Sequence, residues 1–247
     1  MSTSVRALID LDQDLAAAVP EERRDAARRA VRARTRTVER GAWDAIGEYG
    51  ECADWMGLLV IDGFLSRRTS CGEETVGEIV GPGDLLRPWD HDGEYPVVED
   101  ITTSWQVLEE ITIALLDAKL AARLAEWPAL TAAILARIGR RDRWLGLRLL
   151  VSQLPGVELR VLYFLWHLAE RWGEATDGVL RTPAPLTHEH IGELIGAQRP
   201  SVSHAVGALR EQGVRRVPGL GWEMPLDTPA TIEAMLEEGA FVPSARP

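Results

Sequence analysis

The spacing of hydrophobic positions changes twice along this chain. From Gly41 to about Leu108, short apolar runs such as Leu58-Leu59-Val60-Ile61 and Phe64-Leu65 alternate with turn residues, among them Asp62-Gly63, Gly72, Gly77 and Gly81-Pro82-Gly83. Runs this short predict strands, and an Asp-Gly pair between two of them predicts a hairpin. Glu78-Ile79-Val80 and Trp105-Gln106-Val107-Leu108 read as further strands. Many short strands at this spacing predict a small antiparallel barrel or roll. Ahead of them, Pro20 to Arg40 is rich in alanine and arginine, with Glu21 and Glu22 first and basic residues later. That order suits an exposed helix whose charges complement its dipole, passing into a strand near Val38.

After Leu108 the pattern becomes helical. Leu116, Leu120, Leu124 and Trp127 recur at steps of three and four before Pro128 interrupts. Proline fits the first turn of a new helix, where its missing N–H costs nothing. This second helix is expected to run to about Leu154, where Pro155-Gly156 stops it. About 25 residues at ~1.5 Å each make a rod of roughly 38 Å. Leu130, Ile134, Ile138, Leu145 and Leu149 form its stripe, with Arg137, Arg140, Arg141, Arg143 and Arg148 around them. Such a helix is either a buried spine or a dimer seam. On a monomer the stripe would leave an apolar surface, so a homodimer along 128–154 is expected.

The most specific local pattern lies between Thr187 and Gly213. Thr187 is a good N-cap, Glu189 favours the positive helix end, and Ile191, Leu194 and Ile195 supply an apolar face. Gly196-Ala197-Gln198 is a three-residue turn, and Pro200 starts a second helix with Val202, Ala205, Val206 and Leu209 at steps of three and four. Two helices about a tight glycine turn make a helix-turn-helix. Gly192 is small where the helices cross, and Arg199, Ser201, Ser203, His204 and Gly207 are left facing outward. Short polar and basic side chains near a helix start suit a major groove. Arg215 to Met224 then reads as a hairpin wing with Arg215 and Arg216 at its base.

Charge sharpens this picture. The chain of 247 residues carries 27 Lys+Arg against 38 Asp+Glu, a formal net charge of −11, which argues against a general polyanion binder. A local basic face survives within that total. Between Leu180 and Val217, Arg181, Arg199, Arg210, Arg215 and Arg216 outnumber Glu189, Glu193 and Glu211. The two cysteines, Cys52 and Cys71, exclude a disulfide framework and a four-thiolate metal site. No apolar run reaches the length that spans a bilayer, and Asp10, Asp12 and Asp14 do not suit a signal peptide. A cytoplasmic protein without membrane association is expected.

A glycine-rich roll, a long central helix and a C-terminal winged helix-turn-helix resemble the cyclic-AMP receptor protein/fumarate–nitrate regulator (Crp/Fnr) superfamily of bacterial transcription regulators. The resemblance rests on Leu58 to Gly63, Gly81 to Leu86, Trp105 to Glu109, Leu186 to Glu189 and, above all, Gly196-Ala197-Gln198-Arg199-Pro200-Ser201-Val202-Ser203. It implies an α+β fold: an antiparallel β-roll sensor at 1–116, connecting and dimerisation helices at 117–154, and a winged helix-turn-helix at 155–247. It further implies a homodimer on double-stranded DNA bearing an inverted repeat, with RNA polymerase as a further candidate partner. Arg199, Ser203 and His204 would then read bases, while Thr187, Ser201, Arg215 and Arg216 would hold the DNA backbone.

The sensor half lacks what ligand-binding members of that superfamily use. Their cyclic-nucleotide phosphate cassette would place an Arg-Thr pair where this chain has Ile101 and Thr102. The preceding loop holds Asp90, Asp92, Glu94, Glu99 and Asp100, which would repel a phosphate, and Arg87 is the nearest cation. Two cysteines cannot carry an iron–sulfur cluster. His91 is the lone histidine of the N-terminal half and a weak haem ligand, and one histidine cannot build a multi-histidine enzyme site. The acidic loop lacks calcium-loop spacing, and His188 and His190, two apart on a helix, make a poor chelate. No cofactor, metal or catalytic group is therefore expected, and the effector is left open. A protein–protein module whose winged helix docks a partner is the alternative from another class, with a β-roll enzyme third.

Overall fold

A computed structural model of the chain describes residues 3–91, 101–219 and 221–240. It divides into two compact units, 1–144 and 145–247. The acidic loop from Asp92 to Asp100 lies outside the described residues, so the expectations placed on it are not addressed by the fold. At its start, Pro88–His91 forms a single 3-10 turn.

The first unit begins with β1 (Thr3–Ala7), α1 (Gln13–Ala17), α2 (Arg24–Ala30) and β2 (Arg32–Val38). The helix expected over 20–40 thus ends at Ala30. Its arginine-rich tail is a strand instead, because Ala33 and Thr35 are buried while Arg32 and Arg34 between them face outward. That two-residue period was masked by small side chains. Next come β3 (Gly41–Trp43), α3 (Ala45–Tyr49), β4 (Gly57–Asp62), β5 (Leu65–Cys71), β6 (Glu74–Val80), β7 (Leu85–Leu86), β8 (Ile101–Val107) and β9 (Ile111–Leu116). One sheet runs β1-β2-β9-β4-β7 and the other β3-β8-β5-β6. This is the antiparallel roll.

The Asp62-Gly63 hairpin does not form. β4 pairs with β7 and β9, whereas β5 pairs with β6 and β8, so the chain turns a corner between two sheets. Gly63, at φ +78°, sits so close to the backbone that a Cβ would fall 2.1 Å from the Glu110 carbonyl oxygen. The physical reason lies in β4, which has no solvent face. Leu58 and Val60 enter one hydrophobic core and Leu59 the other. The hairpin falls one strand later, where Cys71 pairs with Glu74 around Gly72-Glu73. Likewise Ile111–Leu116 is a strand between β2 and β4 and not the start of a helix, in keeping with its β-branched Ile111, Thr112 and Ile113.

The helices α4 (Ala118–Leu124) and α5 (Pro128–Gln153) follow, the second with the predicted start and length. Its stripe is divided. Leu130 and Ile134 are fully buried in the first unit's own core with Leu59, Leu120 and Trp127, so they are spine and not dimer seam. The solvent-facing positions are Leu135 (53% exposed), Ile138 (40%), Leu149 (68%) and Leu150 (56%), with Leu145 half-buried. The roll holds the first part of α5 by charge as well. Glu78, buried on β6, accepts from Arg141 on α5 at 2.7 and 2.9 Å and pairs with Arg67 on β5 at 2.6 Å. Arg137 donates to the Gly83 carbonyl and to Asp12.

The second unit contains α6 (Val157–Trp172), β10 (Glu174–Thr176), β11 (Val179–Thr182), α7 (His188–Ile195), α8 (Arg199–Leu209), β12 (Arg215–Val217), β13 (Gly221–Pro225) and α9 (Thr228–Ala240). Its sheet has the order β10-β11-β13-β12, so the wing expected after Gly213 is built on a first hairpin that the sequence pattern did not announce. Phe164, Leu165 and Leu168 of α6 share its buried interior with Ile191, Ile195, Val202, Leu209 and Trp222.

Candidate nucleic-acid interface

The local sequence determines how α7 and α8 meet. Thr187 caps α7: its hydroxyl accepts from the His190 N–H at 3.2 Å, and the His190 Nδ1 accepts from the Thr187 N–H at 3.3 Å. This reciprocal cap satisfies two backbone donors, and it engages the Thr187 hydroxyl inside the helix. Gly196 ends α7 in the left-handed region, at φ +65°. A Cβ on Gly192 would lie 2.4 Å from the Ala197 carbonyl oxygen, so the small residue is required by the turn's own backbone. Two arginines hold the last carbonyls of α7. Arg148 donates to Leu194 at 3.2 and 3.3 Å, and Arg160 donates to Ile195 and Gly196 at 3.4 and 3.3 Å. Cations at a helix C-terminus are favourable. Sequence reasoning assigned Arg148 to the surround of the α5 stripe and gave Arg160 no role.

On α8, Val202, Ala205, Val206 and Leu209 are buried, while Arg199, Ser201, Ser203, His204 and Gly207 are exposed. The outward face is therefore the one its periodicity predicted. Arg199 makes no ion pair among the described residues. Ser203 is more constrained: its hydroxyl donates to the Arg199 carbonyl at 3.0 Å and lies 2.9 Å from Nδ1 of His188. The half-buried His188 imidazole lies 5.8 Å from the Trp222 ring, and Trp222 Nε1 donates to the Leu186 carbonyl at 3.2 Å. Burial first, then the charges of Arg216 and Arg199, keep the His188 pKa below the ordinary histidine value. Sequence reasoning weighed His188 only as a chelator. Its position at the first turn of α7, facing α8, was not visible from periodicity.

The wing's two arginines behave differently. Arg215 donates to the buried Glu223 at 3.0 Å, and Arg181 donates to the same carboxylate from the other side. Those bonds, Arg181's foremost, hold the Glu223 pKa below the usual carboxylate range against the opposing effect of burial. Arg215 thus pins the wing strands together, which departs from a role held purely for DNA. Arg216, one residue on, is exposed and makes no ion pair among the described residues. A groove of about 710 Å³ runs between α8 and the wing, lined by Gly178, His188, Val206, Arg210, Arg215 and Arg216 among others. Three of its nine lining residues, Arg210, Arg215 and Arg216, are arginines.

In the first unit, Ile101 opens β8 and is 45% exposed. Arg87 donates to the carbonyls of Trp55 and Met56 at 2.9 and 3.2 Å and lies over the Trp89 ring. It is part of the fold there. Among the described residues there is no group of three or more His, Cys, Asp or Glu able to hold a metal, and no helix long and apolar enough to cross a membrane.

The described residues thus form an antiparallel roll unit and a winged helix-turn-helix unit whose second helix turns Arg199, Ser201, Ser203 and His204 outward. Residues 159–223 match the Crp-like helix-turn-helix domain. The chain is 29% identical over 178 residues to the "CRP-like cAMP-activated global transcriptional regulator" of Mycobacterium tuberculosis, over 69% of this chain and 75% of that one. Its fold is similar to that of a CooA mutant from Carboxydothermus hydrogenoformans, with TM-score 0.58, 16% identity and coverage of 82% and 87% of the two chains. FixK2 from Bradyrhizobium japonicum is also similar, with TM-score 0.56, 15% identity and coverage of 82% and 96%. The chain thus carries a Crp-like helix-turn-helix domain and is similar over most of its length to a CRP-like transcription regulator.

Proposed function

We propose that this protein is a homodimeric, sequence-specific regulator acting in the cytoplasm, which reads an inverted repeat in duplex DNA with α8. The exposed row of Arg199, Ser203 and His204 on α8 carries the reading. Arg199 and His204 are exposed, and Arg199 makes no ion pair among the described residues. A guanidinium at a helix start can pair with guanine O6 and N7. Arg216 supplies a sequence-independent phosphate contact, to which Ser201 adds a hydroxyl. The dimer seam is the exposed part of the α5 stripe, Leu135, Ile138, Leu145 and Leu149, at steps of three, seven and four.

We infer further that the roll takes no cyclic nucleotide through a phosphate cassette. Ile101 offers no charge where the Arg-Thr pair would stand, and Arg87 is engaged by the backbone carbonyls of Trp55 and Met56. Selection of bound sequences from random duplex DNA should return an inverted repeat with half-site centres about one helical turn, ~34–36 Å, apart. Recovery of no preferred sequence, with a protein partner bound instead, would favour the docking alternative. In light scattering, Ile138→Glu should move the mass from dimer toward monomer. Calorimetric titration with cyclic AMP should give no heat of binding.

A further inference from the structure

Between α8 and the wing, one titratable side chain is surrounded by fixed positive charge. Among the described residues, the charges that act on His188 are those of two guanidiniums. Arg199 approaches from α8 and Arg216 from β12, while Arg210 and Arg215 line the same groove. From β13 it meets the uncharged Trp222, with Glu223 engaged by Arg181 and Arg215. Glu189, adjacent on α7 itself, is exposed to solvent. The hydrogen bonds also determine which ring nitrogen is available. The single hydroxyl proton of Ser203 goes to the Arg199 carbonyl, so the Ser203 oxygen accepts from Nδ1–H of His188. Nε2 is then the atom at which a second proton adds.

We propose that this groove is a DNA-phosphate site at which His188 takes up a proton as duplex DNA binds. The proposal rests on the DNA-binding reading above and deepens it. In the free protein, half-burial and the neighbouring guanidiniums oppose a further charge and favour the neutral imidazole. A phosphate entering among Arg210, Arg216 and His188 reverses the sign of the local field, and an Nε2–H can then donate to a phosphate oxygen. Binding and protonation are linked: whichever state binds more protons is favoured as pH falls. DNA affinity should therefore rise as pH falls through the histidine range, independently of base sequence.

The test uses a random-sequence duplex at low salt, with affinity read by fluorescence anisotropy for the unmutated protein, His188→Gln and His188→Lys. From about pH 8 to about pH 6 the unmutated protein should tighten several-fold more than His188→Gln, since a one-unit pKa difference between free and bound states reaches its full tenfold only below both pKa values. His188→Lys, charged throughout, should bind tightly and without that pH dependence. A side chain serving only to pack would change affinity by the same factor at every pH. Equal pH dependence in the unmutated protein and folded His188→Gln would overturn the proposal. Should His188→Gln fail to fold, calorimetry of the unmutated protein in two buffers of different ionisation enthalpy decides, since no proton uptake near neutral pH also overturns it. An absence of DNA binding at any pH would instead strike the DNA reading itself.

Discussion

The roll and the outward face of the helix-turn-helix use arginine in opposite ways. In the roll, Arg67 and Arg141 converge on the buried Glu78, and Arg137 lies between Asp12 and the Gly83 carbonyl. On the helix-turn-helix face, Arg199, Arg210 and Arg216 are exposed and without ion pairs among the described residues. A cation removed from water must be matched within the fold, because an unmatched buried charge costs several kcal/mol. A cation left in water on a face of like sign has no such requirement and is available to an external anion. The difference therefore separates charge that holds the chain together from charge presented outward, although the sequence contains the same residue in both places.

The largest expected effect breaks the internal set. Glu78→Ala removes the carboxylate shared by Arg67 and Arg141 and leaves both guanidiniums mostly buried, which should cost about 3–5 kcal/mol. Denaturant unfolding followed through the roll's tryptophans would measure it. DNA affinity per folded molecule should stay unchanged. A loss well under ~1 kcal/mol would mean that the pair behaves as an ordinary surface bridge, and the contrast would collapse.

Next in size is the outward set. Arg199→Ala should cost ~1–3 kcal/mol in DNA binding and relax preference at one base pair of each half-site. Thermal stability should not move, since the side chain supports nothing in the fold. If stability falls while base preference persists, Arg199 belongs with the internal arginines and the reading face is elsewhere.

How much of this was legible beforehand follows from the same physics. The helix-turn-helix could be read because its constraints are local: a cap at Thr187, a left-handed Gly196, Pro200 in a first turn and a period of three and four within one short segment. The outward direction of Arg199, Ser201 and His204 followed directly. The roll was legible as a class but not in its connections. Whether Asp62-Gly63 closes a hairpin or turns a corner depends on strands far away in sequence, and β4's two buried faces decided it. The division of the α5 stripe was hidden for the same reason. Leu130 and Ile138 share one helical period, yet only the first meets a core built from residues before Leu124. The Glu78 and Glu223 ion pairs join residues 63 and 42 apart, beyond the reach of any local pattern. His188 was missed because its significance lies in Arg199, Ser203 and Arg216, none of which is its neighbour in sequence.

The smallest effect distinguishes two adjacent residues of the wing, and it is the sharpest form of the comparison. Arg215 is tied to Glu223, whereas Arg216 faces the groove without a carboxylate among the described residues. Arg216→Ala should weaken all duplexes alike and reduce the salt dependence of binding by about one unit, leaving hydrogen exchange of the wing as it was. Arg215→Ala should do the reverse, speeding exchange of the β12 and β13 amides while changing the salt dependence little. The pH response carries a sign that tests the assignment. The folded Glu223 carboxyl is held below its ordinary value, so the stability it contributes is fully present above the unfolded carboxyl pKa and is lost as pH falls through the lowered one. Wing protection in the unmutated protein should therefore fade only in acid, and Arg215→Ala should move that fading to higher pH. Arg216→Ala should leave it in place. Identical behaviour of the two variants in both salt dependence and exchange would show that the Glu223 pairing does not separate structural from presented charge.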